Sequence, residues 1–423
     1  MLLAASSLSL SLVRSILCGP LAMAAAATSR VRLRATSRHW RHVHSRVFGL
    51  TPTQITLSEV ASAFAHKEIE PFAASWDKNH HFPVDVLRSA GQLGFGSMFV
   101  PEEKGGVGAT RADAAVVFET LARADISVTA YLTIHNMNCG LLAKFGSEAL
   151  CEQYLPDLAS LEALSSYCLT EPGSGSDAAS LRTTARVDGD DLVIDGAKTF
   201  ISGAGSADFY FVMARTDASV SKAKGITCIL VPKDAAGLSF GKAEEKMGWN
   251  AQPTRAVSFD GVRVPVTNIV GEFGQGFPIA MTALDGGRIN IAACSVGGAS
   301  FCLDYAREYM DSREQFGAPV GSFQYNQFRF AEMATDVHAS RLCVRAAANA
   351  LDEGSSTATR DAAMAKLFAT ERCYDVANRA LQCLGGYGYL REYPVERYVR
   401  DLRVHTILEG TNEVMRQIIS KRM

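Results

Sequence analysis

No aspartate or glutamate occurs before Glu59, although Arg14, Arg30, Arg32, Arg34, Arg38, Arg41 and Arg46 all fall in the first 50 residues. An arginine- and serine-rich leader without acids has the composition of an organelle transit peptide, the alternative being a disordered basic tail. Paired cysteines are also missing. Ten cysteines are present, but there is no Cys-x-x-Cys and no Cys/His cluster with zinc spacing, so neither a structural zinc site nor a redox pair is expected. His42 and His44 do form a His-x-His pair, but in the leader. Cys168, Cys294, Cys343, Cys373 and Cys383 sit among apolar neighbours and read as reduced core residues.

No run approaches the ~20 apolar residues needed to cross a bilayer. The stretch from Leu2 to Leu12 is short and broken by serines. The mature chain is therefore expected to be soluble, without membrane insertion. The net charge of −2 gives no basic excess, so no nucleic-acid partner is expected. There is no Walker loop and no Gly-x-Gly-x-x-Gly opening a helix, which excludes the two commonest nucleotide cradles.

What remains is ordinary globular material, 423 residues with 48% hydrophobic and 20% charged. That length implies two or three domains. From Thr51 to about residue 164 the periodicity is helical. Ser58 is a candidate cap for a helix through Val60, Phe64 and Ile69; Pro83-Val84-Asp85 opens another; Thr110 and Ser147 begin two more. From residue 165 to about 275 the period shortens to that of strands. Asp188-Gly189 marks a hairpin there, between Arg186-Val187 and Leu192-Val193-Ile194. From Gly276 to Met423 helices return, with a stripe of Phe330, Met333, Val337, Arg341 and Val344. Asp361 is a candidate cap for the next helix, which turns Met364, Leu367, Phe368, Val376, Ala380 and Leu384 inward and stops at Gly385-Gly386. The order is α, β, α: an α+β chain with a leader at 1–50, a helical domain at 51–164, a β-domain at 165–275 and a helical domain at 276–423.

Five segments carry chemistry. Tyr167-Cys168-Leu169-Thr170-Glu171-Pro172-Gly173-Ser174-Gly175-Ser176-Asp177 is a strand running into a small-residue loop, where backbone N–H groups can approach a flat or anionic ligand; it also reads as an ordinary turn. Lys198-Thr199-Phe200-Ile201-Ser202 offers an aromatic ring and a hydroxyl, or simply core. Asp285-Gly286-Gly287-Arg288 reads as a contact segment or a plain ion pair. Arg313, followed by Phe323-Gln324, offers a guanidinium for pyrophosphate, or a solvated arginine. Finally, Ile407-Leu408-Glu409-Gly410-Thr411-Asn412-Glu413 places a carboxylate after two apolar residues and before a helix start. Burial raises the pKa of such a group and a helix N-terminus lowers it, so it is a base or a helix-start acid.

Together and in order, these segments resemble the acyl-CoA dehydrogenase family over roughly residues 50–423. Ile134-His135-Asn136-Met137, Gly248-Trp249-Asn250 with Gln252-Pro253-Thr254-Arg255, and Gly287-Arg288-Ile289-Asn290-Ile291-Ala292 are most similar to its short branched-chain members. The resemblance implies an N-terminal helical domain, a middle β-domain and a C-terminal four-helix domain, in a homotetramer holding FAD at subunit contacts. It implies that Tyr167, Cys168, Leu169, Thr170, Gly175, Ser176, Phe200, Ile201 and Ser202 line the flavin. It assigns the rest of FAD to Arg313, Phe323, Gln324, Gln382, Gly385, Gly386, Thr411, Asn412 and Glu413. Ser176, Asp285, Gly286, Gly287, Arg288 and Lys421 would meet the acyl-CoA. Glu409 would be the base, with the thioester oxygen held by the Glu409 N–H and a ribityl hydroxyl of FAD. Isobutyryl-CoA is the implied substrate, ahead of 2-methylbutyryl- or butyryl-CoA, and an electron-transferring flavoprotein in the mitochondrial matrix is the implied acceptor. Two positions depart from the pattern. Lys421 stands for an arginine, keeping the charge but losing the two-pronged fork, and Asp285 stands for an asparagine. Rival readings are an oxidase of the same fold, though Ser420-Lys421-Arg422-Met423 is not the peroxisomal Ser-Lys-Leu address, and a catalytically silent assembly scaffold.

Overall fold

The computed structural model describes residues 49–423. The expected transit peptide therefore lies, but for its last two residues, outside the described residues.

Helix α1 (Pro52–Phe64) starts on a proline, whose fixed φ suits a first turn, and continues as a π-turn through Ile69. Ser58 is therefore not its cap. It sits inside the helix and pairs its hydroxyl with Thr120 at 3.2 Å. After α2 (Ala73–Asn79) and α3 (Val84–Gly91), α4 (Arg111–Ala122) opens on a complete capping box between Thr110 and Asp113. Helix α5 (Ile126–Phe145), capped by Asp125, is buried on nearly every side. That explains why no amphipathic stripe announces it. Helix α6 (Glu148–Ala159) is capped by Ser147, as expected.

The middle segment is one sheet of β1 (Ser165–Cys168), β2 (Thr184–Asp188), β3 (Asp191–Ser202), β4 (Phe209–Arg215), β5 (Ile226–Pro232), β6 (Leu238–Phe240), β7 (Thr254–Pro265) and β8 (Ile269–Val270). The order is β6-β7-β3-β2-β4-β5-β8, with β1 laid parallel on β4. The Asp188-Gly189 hairpin is present: Asp188 pairs with Asp191, and Gly189 takes φ +67°.

Helices α7 (Gly276–Ser312), α8 (Gln324–Asp352) and α9 (Ala358–Cys383) follow, with α10 (Val395–Arg403) and α11 (Asn412–Lys421). Between α7 and α8 a small hairpin pairs β9 (Glu314–Gln315) with β10 (Ala318–Pro319). On α8, Met333, Val337 and Val344 are buried as the stripe predicts. On α9 the reading needs correction. Thr357 occupies the cap position and Asp361 lies a turn inside, accepting the Thr357 hydroxyl. Met364, Leu367 and Phe368 line a surface groove, because Ala362, Ala365 and Ala369 occupy the inward face. Small residues there let α9 pack tightly against its neighbours.

The last helices are fastened to the first ones. Asp352, closing α8, accepts the N–H groups of Arg111 and Ala112 at the start of α4 at 2.7 and 3.0 Å. The Tyr398 hydroxyl on α10 reaches the carbonyls of Arg123 and Ala124. Among the described residues no helix is long and apolar enough to cross a membrane, and no three metal-binding side chains cluster.

Candidate active site

Helix α10 ends in a short 3₁₀ turn at Val404–Thr406, and α11 starts when the Thr411 hydroxyl caps the Val414 N–H. Between them Glu409 (φ +55°) and Gly410 (φ +84°) are both left-handed. A glycine adopts this readily; a glutamate there costs on the order of 1–3 kcal/mol and persists only if its surroundings enforce it. They do. Arg288 Nε donates to the Glu409 carbonyl at 3.3 Å, and Lys366 Nζ donates to the Gly410 carbonyl and to Asn412 Oδ1, both at 2.8 Å.

The turn drives the Glu409 side chain inward. Its Oε2 is buried without a hydrogen-bond partner. Burial pushes the carboxyl up to about 7, against the downward pull of Arg288 and Lys366. Among the described residues its own backbone N–H donates to no protein acceptor. Gly287 on α7 faces the carboxylate directly: an added Cβ would stand 2.5 Å from Oε2. Arg288 itself is buried and spends its Nη1 on Asp285 at 2.6 Å, while the other Asp285 oxygen accepts from Thr359 at 2.6 Å. In this structure the side chains of Asp285 and Arg288 thus brace the turn of Glu409. Beneath it His405 is buried, with Nδ1 against Ser295 Oγ at 2.7 Å and its ring edge-on to Trp249. Burial, with the Lys366 charge, pushes His405 down to about 3, so it is neutral.

Strand β1 brings Tyr167 to the same place. Its hydroxyl is buried and unpartnered, and burial holds its pKa well above the usual value, with Cys228 and Glu409 adding to the rise. The loop beyond is held by an interaction that motif reading did not weigh. Glu171 accepts from Arg182 N (2.6 Å), Thr183 N (2.9 Å) and Lys198 Nζ (2.8 Å), and Lys198 also reaches the Leu169 carbonyl at 3.1 Å. Lys198 is 0% exposed. Burial raises the Glu171 carboxyl, but the Lys198 charge and these donors outweigh it and hold it below the usual range. The signal was a lysine and a glutamate inside otherwise small or apolar segments, where only a partner makes charge tolerable.

The pair pins the end of β1 to β3, where Thr199 N bonds the Thr170 carbonyl at 2.9 Å. Just beyond, Phe200 has φ +58° and is 67% exposed. Cys168, Leu169 and Ile201 turn into the core, so contacts from these positions are left to backbone. Asn412 is likewise buried and committed to Lys366 and Thr370. Gly175 has no atom near its missing Cβ, and Ser176 beside it is exposed.

The other expected cofactor residues gather elsewhere, at a groove of about 470 Å³ lined by Tyr309, Arg313, Gln315, Val320, Gly385 and Gly386. Gly385 (φ +59°) and Gly386 meet nothing at an added Cβ, and the Arg313 guanidinium lies 6.0 Å from the Tyr387 ring centre. Phe323 and Gln324 begin α8 close by, with Phe323 edge-on to the almost fully exposed Phe316. Gln382, Glu413 and Lys421 are exposed; Lys421 ends α11. These features fit a flavin. The Phe200 ring is held out of the core, Gly175, Gly385 and Gly386 leave open backbone, and the Tyr167 hydroxyl is buried without a protein partner.

Comparisons agree along the length of the chain. Residues 51–162, 166–262 and 274–423 match the N-terminal, middle and C-terminal domains of acyl-CoA dehydrogenases. The mitochondrial isobutyryl-CoA dehydrogenases of Dictyostelium discoideum and Bos taurus are 54% and 51% identical over 89% of this chain and 90% of each relative. Butyryl-CoA dehydrogenase from Megasphaera elsdenii superimposes with a TM-score of 0.86 at 36% identity, over 88% of this chain and 98% of that one. With all three domains matched in order and relatives more than half identical over 89% of its length, the chain belongs to the acyl-CoA dehydrogenase family of flavin-dependent oxidoreductases.

Proposed function

We propose that the chain removes the α-proton and β-hydride of a short branched acyl-CoA, converting isobutyryl-CoA to methacrylyl-CoA with FAD in valine breakdown. The single observation that carries the chemistry is the buried, unpartnered Glu409 carboxylate, pushed up to about 7. A general base works best when its pKa lies near the working pH. The 54% and 51% identities to isobutyryl-CoA dehydrogenases support the substrate. A second reading, butyryl-CoA, has support from the butyryl-CoA dehydrogenase of Megasphaera elsdenii at 36% identity.

In this mechanism the Glu409 carboxylate takes the α-proton. Its free N–H donates a hydrogen bond to the thioester oxygen as negative charge grows there, as an oxyanion donor does. Arg288 and Lys366 keep the turn in register. Tyr167, Phe200 and Ser202 would line the flavin ring, with Thr170, Gly175 and Ser176 at its edge. Arg313, Phe323, Gln324, Gln382, Gly385 and Gly386 would hold the remainder, on the helical face of a neighbouring subunit. Bound FAD supplies the acceptor for the β-hydride. The exposed Phe316, Tyr325, Phe328 and Tyr389 on and near that face support a homotetramer. An electron-transferring flavoprotein in the mitochondrial matrix would reoxidise the enzyme, in keeping with the arginine-rich leader. The test is flavin bleaching by a panel of acyl-CoA esters. Isobutyryl-CoA should give the highest specificity constant; a higher value for butyryl-CoA selects the second reading, and one for octanoyl-CoA overturns both.

A further inference from the structure

We propose that Lys366 is a positioning residue for the proton transfer: its ammonium clasps the turn that carries Glu409 and holds that carboxylate in its charged, proton-accepting form. The proposal rests on the reading of Glu409 as the base.

Lys366 is 0% exposed in the middle of α9, among Ala362, Ala363, Ala365 and Ala369. A buried lysine is costly and survives only where its charge or its hydrogens are used. Its two acceptors, the Gly410 carbonyl and Asn412 Oδ1, both lie just past Glu409. The clasp extends one turn along α9. Thr370 and Glu371 take the Asn412 amide at 3.1 and 3.4 Å, and Arg416 on α11 closes on Glu371 at 2.6 Å. The left-handed Glu409 is thus fixed from α7 by Arg288 and from α9 by this network.

The distribution of charge separates the two cations. Arg288 is already paired with Asp285 at 2.6 Å. Among the described residues no carboxylate forms an ion pair with Lys366, and Glu409 is the acid whose field acts on it most strongly. Burial pulls the Lys366 ammonium down to about 7 while the Glu409 field opposes that fall, so each of the two groups favours the charged form of the other. The other groups facing this pair are Tyr167 from β1, Glu413 from α11, Glu371 on α9 itself and the neutral His405. None supplies a second uncompensated positive charge.

The test uses flavin-loaded enzyme carrying Lys366→Met or Lys366→Arg. Flavin reduction by isobutyryl-CoA is followed by stopped flow from about pH 6 to about pH 9. In parallel, the infrared band of the protonated carboxyl that disappears in Glu409→Gln is titrated without substrate. Losing the positive charge that clasps the turn should move both the acid limb and the infrared titration up by about one pH unit or more. KM should change little. Lys366→Arg should keep both at the unaltered pH while lowering the rate. A folded Lys366→Met enzyme with an unmoved limb and band overturns the proposal. If Lys366→Met does not fold, Lys366→Arg decides: an unmoved titration supports the proposal, and an upward shift overturns it. A band or limb that persists in Glu409→Gln would instead remove Glu409 as the base, a different failure with a different signature.

Discussion

Gly287 and Glu409 share one point in space: a Cβ built on the glycine falls 2.5 Å from Oε2 of the glutamate. The carboxylate enters from the turn before α11, and α7 leaves room for it by carrying no side chain there. Two elements far apart in sequence therefore meet at one position, and only one of them carries a side chain there.

Glu409→Gln should leave the protein yellow and able to bind isobutyryl-CoA, because the amide fills nearly the same volume. Flavin reduction should fall by ~10²–10⁴-fold or more, the usual cost of losing a positioned base. Stopped-flow absorbance of the flavin is the measurement; near-normal reduction would end the assignment of the base.

The carboxyl must be ionised to act, and burial sets its pKa at about 7. Flavin reduction should rise with pH through about 7 and then level off. Stability should respond in the opposite sense. The folded chain holds this proton more tightly than the unfolded chain does, so between the ordinary 4.5 and about 7 folding weakens as pH rises. Denaturant titrations at several pH values should show that slope flattened in Glu409→Gln.

Gly287→Ala separates rate from stability. Alanine is favoured over glycine within a helix by ~0.5–1 kcal/mol, and the atom it meets is the mobile end of a glutamate. The melting temperature should hold or rise. The displaced carboxylate should slow flavin reduction by about 10²-fold, the scale of a 1 Å misplacement. Comparing Tm with the single-turnover rate checks both halves.

Lys198→Met should do the reverse of a surface change. It strands the buried Glu171 carboxylate, at a cost of ~3–5 kcal/mol. Flavin should be released at lower temperature, because the loop from Thr170 to Ser176 and Phe200 hang on that pair. Adding Glu171→Gln should recover part of the loss; a double variant no better than the single one would show that the pair does not hold the loop.

A fluorescent protein fused to residues 1–50 should enter mitochondria, on the strength of the acid-free, arginine-rich composition. Diffuse cytosolic signal would count against the matrix assignment.

The order of helical, strand and helical segments was legible because period and punctuation change sharply near residues 165 and 276. Thr110 and Ser147, read as helix starts, acted as caps because a side-chain oxygen before an apolar helix start has few other uses. Helix α5 escaped notice since a helix buried all round has no polar face to reveal its period. Ser58 and Asp361 misled for the opposite reason: each is a good cap residue whose oxygen bonds a threonine instead. At the site, the Glu409 segment stood out by its chemistry and the resemblance set Gly287 opposite it, but the left-handed turn and the bonds from Lys366 depend on three helices meeting. No local pattern contains them.

The bonds from Asp352 to α4 and from Tyr398 to Arg123 and Ala124 also have a meaning in time. During synthesis the first helices emerge long before the segments that secure them, and their exposed apolar faces wait for α8 to α10. Glu409 comes later still, fourteen residues from the last, Met423. A nascent or truncated chain therefore carries the whole sheet but not the Glu409 carboxylate. Such fragments would be rich in unpaired apolar surface, which makes them clients for chaperones or proteases.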